Sequence, residues 1–313
     1  MARNVLSAPH FQDENAAFAY VESHLWPNGP KCPFCGSGER VGRLAGKTTR
    51  PGLHKCYECK KPFTVRMGTI FESSHLPLHL WLQVIHLMCA SKKGISTRQI
   101  QRLLRCSMKT AWFLTHRIRE IMKPAEGSKL GGEGKTVEAD ETFLTNSRHT
   151  RKRRGASGNA HCVAVLSLVE RGGNTRSMRI DGANMHQIKS ALWRNVDPKS
   201  RLVTDGAQAY RSTVPLYASK HQWVDHSKEY VTDGDVHTNT LEDFFSVFKR
   251  GMVGTYQHVS ERHLDRYLAE FDFRQNTRER LGVNDVMRSE IALAGAVGKR
   301  LTYQTTSDQA PPF

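Results

Sequence analysis

The spacing of apolar residues changes twice along the chain and divides it into three parts. In residues 77–123 apolar side chains recur every three or four positions, the period of an α-helix. Before this stretch, residues 31–75 hold paired cysteines among β-forming residues, and after it residues 135–280 alternate apolar runs with helical spacing. The intervening residues 124–134 are rich in glycine, which predicts a domain boundary.

The central part is predicted to contain three helices. The first spans Leu78–Ala90, the second begins at a capping box over Ser96–Gln99, and the third runs from a cap at Ser107 to Met122. The second helix is predicted to bury its apolar side chains, namely Ile100, Leu103 and Leu104.

This helix order is that of a helix-turn-helix, with Ser107–Met122 as the recognition helix. The residues predicted to face a DNA groove are Lys109, Thr110, His116 and Arg117. A plain helical hairpin that joins two domains is the alternative interpretation.

The last part alternates strands and helices. The predicted strands are Thr136–Leu144, His161–Val169, Thr175–Ile180, Arg201–Thr204 and His221–Val224. Helices are predicted over Asn184–Val196 and at about 239–250 and 260–277. Three meandering strands, then helix–strand units and a closing helix, are the order of a ribonuclease-H-like fold, although other α/β sheets share this periodicity.

Four of the seven cysteines form two closely spaced pairs. Cys32 and Cys35, followed by Cys56 and Cys59, give the spacing C-x2-C-x20-C-x2-C. Two residues between cysteines let a tight knuckle direct both sulfurs at one ion, and Zn²⁺ prefers four such ligands in a tetrahedron. Because four cysteines leave no open coordination position, we expect one structural zinc ion.

The charge balance indicates a polyanionic partner. The chain carries 46 Lys and Arg against 30 Asp and Glu, a net charge of +16 with a pI of about 9.7. Such an excess attracts phosphate backbones, and a basic loop at Arg148–Arg154 adds to it. No run approaches the ~20 apolar residues of a membrane span, and the N-terminus lacks a signal-peptide pattern, so we expect a cytoplasmic protein and no membrane partner.

Three carboxylates occupy positions where an α/β sheet could bring them together. Asp140 lies on the first predicted strand, Asp205 ends the fourth, and Glu242 lies on the helix that follows. Carboxylate oxygens that converge at one point select Mg²⁺ or Mn²⁺, and two such ions clamp the attacking and leaving oxygens of a phosphodiester. A surface strand that carries its acidity without metal is the alternative, as is a simple turn at Asp205-Gly206.

Glu242 has further candidate partners along its own helix. Lys249 follows seven residues later, two helical turns away, so it shares a face with Glu242 and could reach a phosphate. His237 and Asn239 precede Glu242 and could contact DNA or orient the glutamate, although a helix cap explains Asn239 equally well.

Several longer motifs extend these patterns. They are Trp26–Gly36, Phe63–Glu72, Val137–Phe143, Val203–Gly206, Val236–Glu242, Phe248–Gly251, Gly254–His258 and His263–Asn276. With these motifs the chain resembles, over roughly residues 18–280, the zinc-ribbon DDE transposases of prokaryotic insertion sequences that carry an insertion-sequence-XO-type integrase domain.

The resemblance implies Mg²⁺-dependent hydrolysis and strand transfer that move a DNA element. Asp140 and Asp205 would be the first two metal ligands, Glu242 the third, and Lys249 the trailing lysine. Asn239 is a less favoured claimant to the third position, since some relatives are described with asparagine there. The basic loop would contact DNA, through Arg151, Lys152, Arg153 and Arg154.

These observations together predict a multidomain protein. The predicted segments are a lead-in helix and zinc ribbon (1–75), a helix-turn-helix (76–124), a glycine-rich linker (125–134), a ribonuclease-H-like catalytic domain with a mixed sheet (135–285) and a C-terminal tail (286–313). The expected partners are double-stranded DNA, as terminal inverted repeats and target, and further copies of the chain in a dimer or larger assembly. A DNA-binding regulator with an inactive second domain and a hydrolysis-only nuclease are the competing functions.

Overall fold

The computed structural model describes residues 4–124, 127, 129–145, 162–211, 217, 221–224 and 235–302. The chain divides into two compact units. Within the described residues, the first unit comprises 4–91, 95–123 and 283–302, and the second comprises 92–94 and 124–282. No helix among the described residues has the length and apolar character needed to cross a lipid bilayer.

The first unit opens with a 3-10 turn at Val5–Ser7 and two helices, α1 (Pro9–Gln12) and α2 (Glu14–Leu25). Asp13 caps α2 by accepting the backbone N–H of Ala16 at 2.8 Å. An antiparallel sheet follows, in the order β1 (Val41–Arg43), β2 (His54–Cys56) and β3 (Pro62–Phe63). Its small core includes buried Cys32, Cys56 and Phe63, so these two cysteines are part of the ribbon's interior.

Three helices follow as predicted: α3 (Leu78–Ala90), α4 (Thr97–Leu104) and α5 (Met108–Ile121). Ser96 and Ser107 cap α4 and α5 by accepting the N–H groups of Gln99 and Thr110. Leu103 was predicted to be buried but is 56% exposed, because Ile100 supplies the buried side of this short helix.

A tenth helix, α10 (Asp285–Ala294), occupies the start of the segment predicted to be a tail. It packs against α2 and α3, and Arg288 donates a hydrogen bond to the carbonyl of Cys89 at 3.1 Å. The sequence analysis did not identify this helix because its packing partners lie almost 200 residues earlier in the chain. The described C-terminal part therefore belongs to the first unit.

In the second unit, the described strands form a mixed sheet in the order β6-β5-β4-β7-β8. The strands are β4 (Thr136–Thr145), β5 (Cys162–Glu170), β6 (Thr175–Ile180), β7 (Arg201–Asp205) and β8 (His221–Val224). β4, β5 and β6 pair antiparallel, whereas β7 pairs parallel to β4 and β8 parallel to β7. A three-strand meander extended by parallel strands on the far side of β4 is the predicted ribonuclease-H-like topology.

Helices cover both faces of this sheet. One face packs on α6 (Met185–Asn195) and α7 (Gln208–Arg211). The other packs on α8 (Asn239–Gly251) and α9 (Glu261–Asn276), which are separated by a π-helical turn at Met252–Tyr256. Successive β5 residues alternate between the two cores, with Leu166 and Leu168 on the first and Val165 and Val169 on the second, as the period of a strand requires.

Part of the predicted linker is built into the second unit. Leu130 is buried in the α6 core and forms a parallel bridge with Val196. Its N–H and C=O bond the backbone of Asn195 and Asp197 at 2.7 and 2.8 Å. The surrounding segment was predicted to be a glycine-rich linker, whereas these hydrogen bonds join Leu130 to the second unit.

Candidate active site and cysteine cluster

Asp140 and Asp205 lie side by side on the central parallel strands. Ala139 of β4 is paired with Thr204 of β7, and the two aspartates come one residue later on each strand. Neighbouring strands are about 5 Å apart, so the register alone brings these carboxylates to one edge of the sheet. Asp205 ends β7 and accepts the N–H of Ala207 at 3.2 Å, which fixes the turn that follows.

Glu242 approaches the same region from the first turn of α8. Its Oε1 accepts a hydrogen bond from the hydroxyl of Thr238, the N-cap residue, at 3.2 Å. The apolar side of α8, including Leu241, Phe244 and Phe245, is buried against the sheet. The helix thereby carries Glu242 on its exposed side, where its charge acts on Asp140 of β4.

Asp140 is buried and lies among other negative charges. Burial, together with the negative charges of Asp205, Glu141 and Glu242, raises the pKa of Asp140 to about 7. Like charges held this close destabilise the ionised state unless a cation compensates them. The group therefore has the donors and the charge that suit a divalent cation.

Glu141, the next residue on β4, faces the opposite side of the sheet. It accepts a 2.6 Å hydrogen bond from the hydroxyl of Tyr210, which is fully buried in the α6 core. Burial raises the pKa of Glu141, and burial together with the charge of Glu141 raises that of Tyr210 well above its usual value. Side chains on β4 point alternately to the two faces of the sheet, so Glu141 and Asp140 lie on opposite faces.

Glu138 is a site residue that the sequence analysis did not select. It is completely buried on the same face of β4 as Asp140 and contacts the N-terminus of α8. The available signal was its position two residues before Asp140, which puts both side chains on one face of the strand. That spacing does not reveal which helix covers the face. The contact became visible only in the folded chain.

The remaining residues predicted near Glu242 have distinct environments. Lys249 is exposed, with its Nζ 5.8 Å from the centre of the Phe245 ring. Asn239 is the exposed first residue of α8, whereas the N-cap is Thr238. His237 is half-buried, with Nδ1 3.3 Å from a guanidinium nitrogen of Arg171. This contact joins the segment that leads into α8 to the residue that follows β5.

The predicted DNA contacts of the helix-turn-helix separate into two kinds. Lys109 is exposed in the first turn of α5. Arg117 is only 4% exposed, donates a 2.6 Å hydrogen bond to the carbonyl of Glu72, and lies against the rings of Trp81 and Phe113. Arg117 was predicted to face a DNA groove, but this burial places its side chain in the core.

His116 is also fully buried, so the exposed residues of α5 lie in its first turn. The basic-loop candidates Arg151, Lys152, Arg153 and Arg154 lie outside the described residues.

The four ribbon cysteines form a compact cluster of thiols. Their sulfur atoms all lie within 4.8 Å of one another, and the pairs Cys32–Cys59 and Cys35–Cys56 are 3.6 Å apart. A tetrahedral ion with Zn–S bonds of about 2.3 Å requires sulfurs about 3.8 Å apart. The cluster therefore matches the ligand geometry of one zinc ion.

Each knuckle is completed by a residue in the left-handed region, Gly36 at φ 77° and Lys60 at φ 60°. Among the described residues, these four sulfurs lie within 4.8 Å of one another, whereas Asp140, Asp205 and Glu242 do not bring one oxygen each to within that distance.

Comparison with known protein families gives two matches along the chain. Residues 12–62 match the profile of the transposase zinc-ribbon domain, and residues 129–276 match that of the ISXO2-like transposase domain. The chain is 26% identical over 285 residues to an uncharacterized protein in the transposable element ISH50 of Halobacterium salinarum, which covers 87% of this chain and 94% of that protein.

A solved structure, a pre-cleavage Mos1 transpososome, matches 67% of this chain and 76% of its own at 10% identity. Its TM-score of 0.27 supports no conclusion about function. The two family matches together cover more than half of the sequence, and they contain the cysteine cluster and all three carboxylates. The chain belongs to the transposases of insertion sequences that join a zinc-ribbon domain to an ISXO2-like transposase domain.

Proposed function

We propose that this transposase cleaves DNA strands at the inverted-repeat ends of its element and joins the freed ends to target DNA. The observation that carries the proposal is the pairing of β4 with β7, which places Asp140 and Asp205 side by side, while the charges of Asp205 and Glu242 contribute to raising the pKa of Asp140. Carboxylates gathered in this way are costly in isolation and become favourable around divalent cations.

The donor set fits two Mg²⁺ or Mn²⁺ ions, since all three side chains offer hard oxygen ligands. When bound, such a pair supplies positive charge at the attacking and leaving oxygens of the scissile phosphodiester. Asp140, Asp205 and Glu242 would hold these ions.

The chain's own residues orient the DNA around this set. Lys249 lies two helical turns beyond Glu242 on the exposed side of α8, about 10 Å along the helix axis. We assign to its ammonium group the neutralisation of a phosphate next to the scissile bond. His237 precedes the same helix and Asn239 begins it. We assign to Asn239 a contact with the DNA backbone.

The ribbon and the helix-turn-helix are proposed to bind the terminal repeats. One zinc ion held by Cys32, Cys35, Cys56 and Cys59 would stabilise the ribbon, whose core is too small to fold unaided. Lys109 and the basic segment Arg151–Arg154 would contact phosphates. Because two element ends must be brought together, we also propose that the protein acts as a dimer or larger assembly, in the cytoplasm where its DNA is.

An end-labelled duplex of the element's own terminal repeat tests the proposal. With Mg²⁺ and a target plasmid, we expect nicking at the repeat end and a labelled joint product that EDTA abolishes. Nicks without joint products would make the protein a hydrolysis-only nuclease. Repeat binding with no cleavage at any divalent-ion concentration would make it a DNA-binding regulator.

A further inference from the structure

We propose that Glu138 and Arg171 are positioning residues that anchor the N-terminus of α8 to β4 and so set where Glu242 meets Asp140. The inference rests on the proposed function, in which both carboxylates hold the same metal pair. Neither Glu138 nor Arg171 would touch metal or DNA. Their role would be to join two elements that the sequence places far apart.

Glu138 is completely buried, and three hydrogen bonds to its carboxylate link β4 to other elements. Oε1 accepts from Nε of Arg171 at 2.7 Å and from the hydroxyl of Thr240 at 3.0 Å. Oε2 accepts from the backbone N–H of Leu241 at 3.0 Å. A buried carboxylate is tolerated only when it is paired and hydrogen-bonded, and these contacts meet that condition.

These bonds cap α8 from outside the helix. The first N–H groups of a helix have no partner within it, and the N-cap residue Thr238 forms no side-chain bond to them. The N–H of Leu241 donates both to the backbone carbonyl of Thr238 and to Oε2 of Glu138, each at 3.0 Å, and Glu138 also places negative charge at the positive end of the helix dipole. The N-terminus of α8 is thereby fixed to a particular point on β4.

Arg171 extends the anchor to the segment before α8. Its guanidinium donates to the carbonyl of His237 at 2.7 Å, and to the carbonyl and carboxylate of Asp235 at 2.9 and 2.7 Å. Asp235 also pairs with Arg201 at the start of β7. The chain entering α8 is therefore held by β4, β7 and the residue that follows β5.

The anchor lies next to both proposed ligands in the chain. Asp140 lies two residues beyond Glu138 on the same face of β4, about 7 Å along the strand. Glu242 follows Leu241, the residue whose N–H Glu138 accepts. Partners that orient metal ligands commonly change metal affinity 10- to 100-fold when they are removed, which sets the size of the expected effect.

The test compares Glu138→Gln, Arg171→Gln and the double variant with Lys135→Gln. Lys135 forms a 2.6 Å ion pair with Glu170 in the same unit, so its loss controls for the removal of a charge pair. Two measurements are made on the full-length, zinc-loaded protein: Mn²⁺ affinity by calorimetry and hydrogen exchange of the first turn of α8. Asp140→Asn serves as the reference for a lost ligand.

We expect Glu138→Gln to weaken Mn²⁺ binding about tenfold or more and to speed exchange at Leu241 about tenfold, with exchange in β5 unchanged. The double variant should lose little beyond Glu138→Gln, because both residues act through one anchor. Lys135→Gln should match the wild type. A purely structural role would instead speed exchange throughout the sheet and leave the Mn²⁺ affinity of folded molecules unaltered.

Two failures are distinguishable. If Asp140→Asn loses Mn²⁺ and Glu138→Gln binds it as the wild type does, the anchor is wrong and the proposed function stands. If the wild type binds no Mn²⁺, or Asp140→Asn binds it equally well, the proposed metal site fails and this inference fails with it.

Discussion

Asp205 lies beside Asp140 across the parallel β4–β7 pair, and its charge contributes to raising the pKa of Asp140 to about 7. The relationship joins residues 65 positions apart through strand register alone. It places the two aspartates where the charge of Asp205 affects the protonation of Asp140 and, by our proposal, where both hold the same metal ions.

The first prediction concerns the three proposed metal ligands. Asp140→Asn, Asp205→Asn or Glu242→Gln should each lower cleavage of the terminal repeat at least about a hundredfold while repeat binding stays within about twofold, because the carboxylates are needed only for catalysis. Gel-based cleavage and binding assays on the same duplex measure both quantities. Asp243→Asn, which alters the exposed neighbour of Glu242, is the matched control. Cleavage that persists in the Asp140 variant would remove that residue from the site.

The second prediction is a dependence of metal affinity on pH. A carboxyl with a pKa of about 7 holds its proton in much of the metal-free protein at neutral pH, and a bound cation must displace it. Mn²⁺ affinity should therefore fall as the pH drops below about 7, by up to about tenfold per unit, and level off above it. Calorimetry in two buffers of different ionisation enthalpy should detect proton release at about pH 6.5. An affinity that is flat between about pH 5.5 and 8 would contradict the raised pKa.

The third prediction concerns stability without divalent ions. The folded-state pKa of Asp140 lies above its ordinary value of 3.8, so the folded chain binds more protons than the unfolded chain between about pH 4 and 7. The stability contributed by this group is therefore lost as the pH rises through that window. Asp140→Asn should be more stable than the wild type by about 1–2 kcal/mol at about pH 8 and equal to it near pH 4. Thermal unfolding in EDTA-free, Mg²⁺-free buffer measures the difference, and equal melting temperatures at both pH values would count against it.

The fourth prediction addresses the cysteine cluster. Cys56→Ser should lose about one equivalent of zinc and expose the ribbon to proteolysis, because the metal supplies folding energy that the small core lacks. Cys106→Ser, outside the cluster, should retain zinc and protease resistance. Metal content by mass spectrometry and limited trypsin digestion check both variants. Wild-type protein with no zinc and an intact ribbon would refute the assignment.

The fifth prediction separates the two basic residues of α5. Lys109→Gln should weaken repeat binding and reduce its salt dependence by about one unit of slope, with an unchanged melting temperature. Arg117→Met should lower the melting temperature by several degrees, because it leaves the carbonyl of Glu72 without its donor and disturbs the packing on Trp81. The reverse pattern would restore Arg117 as a DNA contact.

Much of the fold could be predicted from the sequence because the signals are local. Apolar periodicity located the strands and most helices to within one or two residues, including α6, whose N-cap is Asn184. The two cysteine pairs defined the zinc ribbon, since the spacing of a knuckle is a property of a few consecutive residues. The same holds for the alternation on β4 that separates Glu138 and Asp140 from Glu141.

What only the tertiary structure decided depends on contacts between distant segments. The return of α10 to the first unit, the burial of Arg117 and the bond from Leu241 to Glu138 each join residues between 45 and about 200 positions apart. A periodic pattern states which side of a helix or strand is apolar, but not which element covers it. The sequence by itself determined the elements and the candidate ligands, whereas the packing of those elements decided which charged side chains are exposed and which are buried.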